Sequence, residues 1–142
     1  MADGYQPDFD IDLAVGAQGE LYVASICDAL RDGTGRVEIK TDEKATKYER
    51  IFVEYECKRF GVYVKSGIAT TQAELWAIVI ASDTVLIVPT WRLKVAARRL
   101  LKSAPRFFGK ECVRGSHPTK GVVIPFKSLL TELFRPVEDN DR

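Results

Sequence analysis

Two short segments, residues 37–42 (VEIKTD) and 51–58 (IFVEYECK), alternate so regularly that only a β-strand accommodates them. In a strand, successive side chains point to opposite faces. Val37, Ile39 and Thr41 then share one face of the first segment, and Ile51, Val53, Tyr55 and Cys57 one face of the second. These odd faces are apolar and are expected to point into a core. The even faces carry Glu38, Lys40 and Asp42 on one segment and Phe52, Glu54, Glu56 and Lys58 on the other. With a polar connection, EKATKYER, between them, the two segments predict an antiparallel hairpin whose outer face gathers four carboxylates and two lysines.

That face can do chemistry. Same-face residues two apart lie roughly 6.6 Å apart along a strand, and paired strands about 4.8 Å apart, so carboxylates on both strands can converge on one cation. Mg²⁺ takes hard oxygen ligands, commonly one or two carboxylates completed by waters and substrate phosphate oxygens. A neighbouring lysine can orient the attacking water or offset charge on the phosphate. The plain alternative is a solvated strand face with Glu–Lys pairs across it, which is common and contributes little to stability. Four acids against two bases exceed what such pairing needs, which favours a cation, but alternation alone leaves both readings open.

Around these strands, residues 16–31 read as a helix with Leu21, Ala24, Ile26, Cys27 and Leu30 apolar, ended by Asp32-Gly33 and Gly35. Residues 62–68 form a poorly defined strand or loop, and Thr70 or Thr71 can cap a short helix through Leu75. Segments 76–80 and 84–88, rich in β-branched residues and separated by Ala-Ser-Asp, predict a buried hairpin. Thr90 is expected to cap a helix over 91–102, with residues 104–120 an ordered loop, 122–124 a last strand and 126–134 a last helix. The order predicts an α/β fold, a mixed central sheet flanked by helices in a single domain over 13–136. Residues 1–12 are expected to be a flexible arm and 137–142 a frayed tail.

A chain of 142 residues suffices for one domain with a real core. Three cysteines, Cys27, Cys57 and Cys112, are odd in number, widely spaced and without a CxxC pair. This points to a reducing compartment and away from structural zinc. No apolar run is long enough to span a bilayer, and the acidic start MADGYQPDFDID is unlike a signal peptide, so the expectation is cytoplasmic, with no membrane partner. Net charge is only +1, but residues 1–56 carry 13 acids and 6 Lys/Arg, a balance of −7, and residues 57–142 carry 15 Lys/Arg and 7 acids, a balance of +8. Either the basic half meets a polyanion or the halves neutralise each other across the fold.

The pattern GAQGE, VEIKTD, FVEYECK and SGIATTQAELW, spanning roughly residues 16–88, resembles the PD-(D/E)XK nuclease superfamily. That superfamily includes Holliday junction resolvases, mismatch-repair nicking enzymes and restriction endonucleases. The last stretch is similar to small nuclease-like proteins often encoded by phages. The resemblance implies a restriction-endonuclease-like fold with an acid at one strand end and a (D/E)-x-K or (D/E)-x-E pair on the next strand binding metal. Asp42 matches the first position, Glu54 and Glu56 the second, and Lys40 would replace the lysine an ExE pair lacks. Glu20 fits an acid on the first helix, and Gln72 resembles a glutamine some members carry. The first acid is not preceded by proline, and two other registers remain open: Asp42 with Glu56-Cys57-Lys58, and Asp32 with Glu38-Ile39-Lys40. The third would need Asp32 on a strand, although it lies in a helix-ending turn. Independently of the family, Glu20 suits the first turn of a helix, and Gln72 suits a solvated surface.

Between Arg92 and Lys120 the chain holds nine Lys/Arg and one acid, Glu111. On the helix from Trp91, Leu93, Ala96, Ala97, Leu100 and Leu101 form the buried stripe. Arg92, Arg98, Arg99 and Lys102, and beyond the helix Arg106, Lys110, Arg114 and Lys120, are left to neutralise phosphates. Phe107 and Phe108 suit either stacking or a core, and His117 suits a solvated loop. The expectation is a DNA endonuclease using Mg²⁺ or Mn²⁺, structure-specific on junctions or nicks and acting as a homodimer. Its rivals are a non-catalytic DNA-binding or assembly protein on the same fold and a plain interaction domain for an acidic protein.

Overall fold

The computed structural model describes residues 9–33, 36–113 and 117–141; residues 1–8 of the expected arm, and Arg114 of the basic stretch, lie outside these. The chain divides into two compact units, Met1–Arg36 and Val37–Arg142. The division falls inside the 13–136 span expected to form one domain.

Among its described residues the first unit has one helix, α1 (Phe9–Arg31), which starts well before the expected Gly16 and takes in the end of the expected arm. Its last turn carries an Arg31–Asp28 ion pair of 2.6 Å, and Gly33 follows with φ +61°, the left-handed conformation that commonly terminates a helix. Glu20 is exposed on α1.

The second unit is an α/β fold with two sheets. Its strands are β1 (Val37–Thr41), β2 (Arg50–Arg59), β3 (Val62–Lys65), β4 (Leu75–Ala81), β5 (Thr84–Pro89), β6 (Gly109–Cys112) and β7 (Thr119–Pro125). Its helices are α2 (Ala45–Tyr48), α3 (Thr90–Ser103), α4 (Pro105–Phe108) and α5 (Phe126–Phe134). The first sheet is mixed and runs β1-β4-β5; the second is antiparallel and runs β3-β2-β7-β6. The expected hairpin of the two alternating segments is therefore absent. β1 pairs in parallel with β4, Lys40 opposite Ile78, whereas β2 pairs with β3 and β7 in the other sheet.

The reason lies in the connection. Ala45, fully buried, anchors the single turn of α2, and Glu49 in the left-handed conformation (φ 51°) redirects the chain into β2. The Asp42 N–H donates to the Val79 carbonyl at 3.1 Å, and the Thr46 hydroxyl to that of Ile80 at 3.0 Å. These bonds fasten the connection to β4 rather than letting it fold back as a β-turn.

The core joins both sheets and α3. Ile51 and Val53 of β2, Val122 and Ile124 of β7, Trp76 and Ile78 of β4, Val88 of β5, Leu93, Ala96, Ala97 and Leu100 of α3, and Leu129 of α5 form one buried cluster. The odd face of β2 thus points inward as its alternation predicts. On β1 it does not: Ile39 is 62% exposed, because β1 is an edge strand whose odd face nothing in its own unit covers. The β4–β5 hairpin and the helix over 126–134 stand where the sequence places them.

Further elements differ from the sequence expectation. The chain after Thr70 forms no helix; a 3₁₀ turn (Gly67–Ala69) is followed by an extended run into β4, with the Thr71 hydroxyl accepting from the Ala73 N–H at 3.2 Å. Thr90 is the first residue of α3 rather than its cap, and its hydroxyl is buried without a hydrogen-bond partner among the described residues. The presumed loop 104–120 contains α4 and β6, with Phe108 buried, because β6 finds a partner in β7. Residues expected as a frayed tail include a 3₁₀ turn (Asp139–Asp141) whose Asp141 carboxylate pairs with Arg99. Among the described residues no helix is long and apolar enough to cross a membrane.

Candidate functional site

The turn after β1 and the first half of β2, though in different sheets, line one cleft of about 680 Å³. Its walls include Lys40 and Asp42 at the end of β1, Lys44 and Tyr48 of the connection, Arg50, Phe52 and Glu54 of β2, and Lys110 and Glu111 of β6. Trp76 and Ile78 of β4 line it as well. The sequence-predicted Lys40, Asp42 and Glu54 thus line the same cleft from two different sheets and the turn between them, rather than from one hairpin.

Each acid is held by the fold. β3 pairs only with the far end of β2, from Glu56 to Arg59, leaving the near end of that edge without a strand partner. There Asp42 substitutes for one: Oδ2 accepts from the Phe52 N–H at 3.1 Å and Oδ1 from the Lys44 N–H at 3.1 Å. Its carboxylate fastens the two sheets together while facing the cleft, and each oxygen keeps a second lone pair. Glu54 accepts from the Ser66 hydroxyl at 2.7 Å through Oε1, and its Oε2 has no partner among the described residues. Ser66 reaches it because Gly67 lies hard against the strand: a Cβ on Gly67 would sit 2.3 Å from the Glu54 carbonyl oxygen, and its φ of +50° also favours glycine. The Ser66-Gly67 bend, read from sequence as a mere turn, is what orients Glu54.

Lys40 pairs with Glu38 at 2.6 Å and lies 5.6 Å over the Trp76 ring. Glu56 does not line the cleft. A β-bulge between the Glu54–Gly121 and Glu56–Lys120 pairs bends β2, and Glu56 lies 3.8 Å from Lys120 on the neighbouring strand. Lys58 is also elsewhere, 5.7 Å over the Tyr63 ring. The Tyr63 hydroxyl donates to Glu111, which pushes its pKa up to about 12. The register built on Glu56 and Lys58 thus has neither residue on the cleft. Of the register built on Asp32, that residue belongs to the other unit and Glu38 is tied to Lys40. Gln72 is exposed and donates to the Thr70 carbonyl at 3.5 Å, as a solvated turn residue would. Among the described residues no three acidic, histidine or cysteine side chains come together as a metal-binding group.

The basic stretch from Arg92 divides. Arg92 donates to the Leu133 carbonyl at 2.5 Å, holding the end of α5, and stacks 5.2 Å from Trp91. Arg99, with a side chain only 19% exposed, pairs with Asp141 and lies 3.6 Å from the buried Glu132. The bond to Asp141 raises the Arg99 pKa and lowers that of Asp141. Arg92 and Arg99, both expected on DNA, are thus engaged by partners within the chain. Arg98, Lys102 and Arg106 are exposed, and among the described residues Lys110 alone of the predicted DNA contacts lines the cleft.

Sequence reasoning missed Lys44, Tyr48 and Arg50, which it placed in a polar connection. The Arg50 guanidinium and the Lys47 ammonium each lie 5.2 Å from the Tyr48 ring, so the connection interleaves bases with an aromatic. That interleaving within EKATKYER was the available signal. None of Lys44, Arg50 and Lys110 forms an ion pair with a described acid, whereas Lys40 and Arg99 do. No family model, no curated protein and no solved structure matches the chain.

Proposed function

We propose that the cleft binds a nucleic-acid phosphate backbone and hydrolyses phosphodiester bonds of DNA with the help of Mg²⁺ or Mn²⁺. The observation that carries this reading is the meeting of Asp42 and Glu54 in one cleft with Lys40, Lys44, Arg50 and Lys110. Asp42 and Glu54 suit a magnesium-type ion, which commonly takes one or two carboxylates and completes its shell with water and substrate phosphate, while the third acid on the walls, Glu111, accepts from Tyr63. Asp42 and Glu54 would hold it, and both are fixed by hydrogen bonds of the kind that orient metal-binding carboxylates. Such an ion supplies a more acidic bound water and neutralises charge on the phosphate.

The chain's own groups divide the remaining work. Lys44, Arg50 and Lys110 neutralise phosphates and position the backbone. Lys40, on the cleft wall, offsets charge as the phosphate is attacked. The free Oε2 of Glu54 can accept the proton of the attacking water. Among the described residues the cleft walls carry no Ser or His, and the nucleophile proposed is water itself rather than the Cys112 thiol.

A second reading is favoured by one observation. Both oxygens of Asp42 accept backbone N–H groups, so Asp42 serves the fold whether or not it serves a metal. A non-catalytic protein that binds nucleic acid in the same cleft would need nothing more of it. Cleavage of plasmid, linear and four-way-junction DNA in Mg²⁺ or Mn²⁺ separates the two. Activity abolished by EDTA and by Glu54→Gln is the expected result. Binding that persists unchanged in EDTA, with no cleavage of any form, would establish the non-catalytic reading.

A further inference from the structure

We propose that the tip of the β2–β3 hairpin is a wedge that inserts Phe60 between stacked bases of the nucleic acid held in the cleft. This rests on the reading that the cleft binds nucleic acid. Arg59 pairs with Val62, so Phe60 and Gly61 form a two-residue loop, and both have positive φ, 51° and 82°. Such a turn favours Asn-Gly or Asp-Gly, because a bulky side chain is strained in the left-handed region. Here an aromatic stands in that position. Its side chain is 105% exposed and makes no ring contact with any described residue, so the fold gains nothing from it. A residue that breaks the local rule of its turn and buries none of its surface is placed for something outside the chain.

The surroundings favour a polyanion. Lys58 and Arg59 lead into the tip, and the sequence from Cys57 to Ala73 contains no acid; Lys65 lies farther down the hairpin, opposite Glu56. Val62 and Val64, both exposed, continue an apolar edge behind Phe60. An apolar residue projecting from a basic hairpin is the combination with which proteins unstack a base step, the cations holding the backbone on either side. Phe60 lies roughly 20 Å along β2 from Glu54, at about 3.3 Å per residue. That separation corresponds to about six stacked bases at about 3.4 Å each. The step opened by Phe60 would lie about that far from the phosphate held in the cleft.

The test uses the full chain and the variant Phe60→Asn, which suits the left-handed position better than phenylalanine and melts no lower than the parent. DNA carrying a fluorescent aminopurine base brightens when that base unstacks. Scanning the aminopurine along a short duplex and a single strand, the parent protein brightens one position. Phe60→Asn abolishes that signal and weakens binding about tenfold, as loss of one base–aromatic stack requires. Glu54→Gln keeps the signal while losing cleavage. Equal binding and equal fluorescence for Phe60→Asn overturn the wedge and leave the cleft reading standing. If the parent retards no form of DNA, the cleft reading fails and the wedge with it. If Phe60→Asn instead abolishes self-association in sedimentation with the DNA signal unchanged, Phe60 fills a protein pocket and the wedge is overturned.

Discussion

Arg99 and Arg50 are the same residue in opposite situations. Arg99 is enclosed by α5 and the C-terminal turn, with Glu132 and Asp141 on it and the Pro136 carbonyl accepting at 3.3 Å. Arg50 faces the cleft beside Tyr48, with Lys44 and Lys110 on the same walls and no described acid paired with any of the three. The first cluster spends its charge on the fold; the second leaves it for a ligand. A run of basic residues in the sequence therefore does not mark a binding surface, since acids distant in sequence decide which cations remain unengaged.

The largest expected effect breaks the enclosed cluster. Glu132→Ala removes a nearly buried carboxylate from beside Arg99 and is expected to lower the unfolding free energy by about 3 kcal/mol. Chemical denaturation measures it, and a loss below about 0.5 kcal/mol would place the pair among ordinary surface pairs and erase the contrast. DNA affinity at temperatures where both proteins are folded is expected to be unchanged.

Next is the cleft. Glu54→Gln is expected to reduce the single-turnover cleavage rate by at least about 100-fold, beyond the usual effect of changing a residue that merely supports a metal ligand. Its melting temperature should stay close to the parent's, since Gln can still accept from Ser66. Retained cleavage moves the chemistry away from Glu54.

A salt titration sharpens the comparison. With Lys44, Arg50 and Lys110 all changed to Gln, the slope of log affinity against log salt for duplex DNA is expected to shrink by about 2.7, for three lost phosphate contacts. Arg99→Gln should leave the slope alone. Equal changes in both proteins would show that burial does not separate the two groups of cations.

The smallest effect concerns acid. Arg99 holds the Asp141 carboxyl below the usual carboxylate range, so the folded state binds that proton less readily than the unfolded chain. The stability this contributes is present above the ordinary carboxylate pKa and is lost as pH falls through the depressed value. Asp141→Asn should therefore melt below the parent at neutral pH and converge with it in acid. A gap that stays constant across that range would remove Asp141 from the linkage.

Much of this was legible beforehand, element by element. The β-branched runs of β4 and β5, the apolar stripe of α3 and the inward face of β2 follow from periodicity, because burial selects side chains at the repeat of the backbone. Lys40, Asp42 and Glu54 were identified as candidates for a shared site for the same reason: their alternation puts them on the polar faces of β1 and β2. What misled was adjacency. Two alternating strands a few residues apart suggest a hairpin, yet α2 and the buried Ala45 carry the chain from one sheet to the other. Glu56 satisfied the same alternation as Glu54 and missed the cleft. It faces Lys120 of β7, a partner that nothing in its own segment announces.

By itself the sequence determined which residues of a strand or of α3 share a face, and which side chains can bind a cation or a phosphate, since these depend on the backbone repeat and on functional groups. Tertiary structure alone decided which strand lies beside which, that Asp42 and Glu54 line one cleft, and that Arg99 is neutralised while Arg50 is not. Those outcomes depend on contacts between residues far apart in the chain, and a one-dimensional pattern carries no record of such distances.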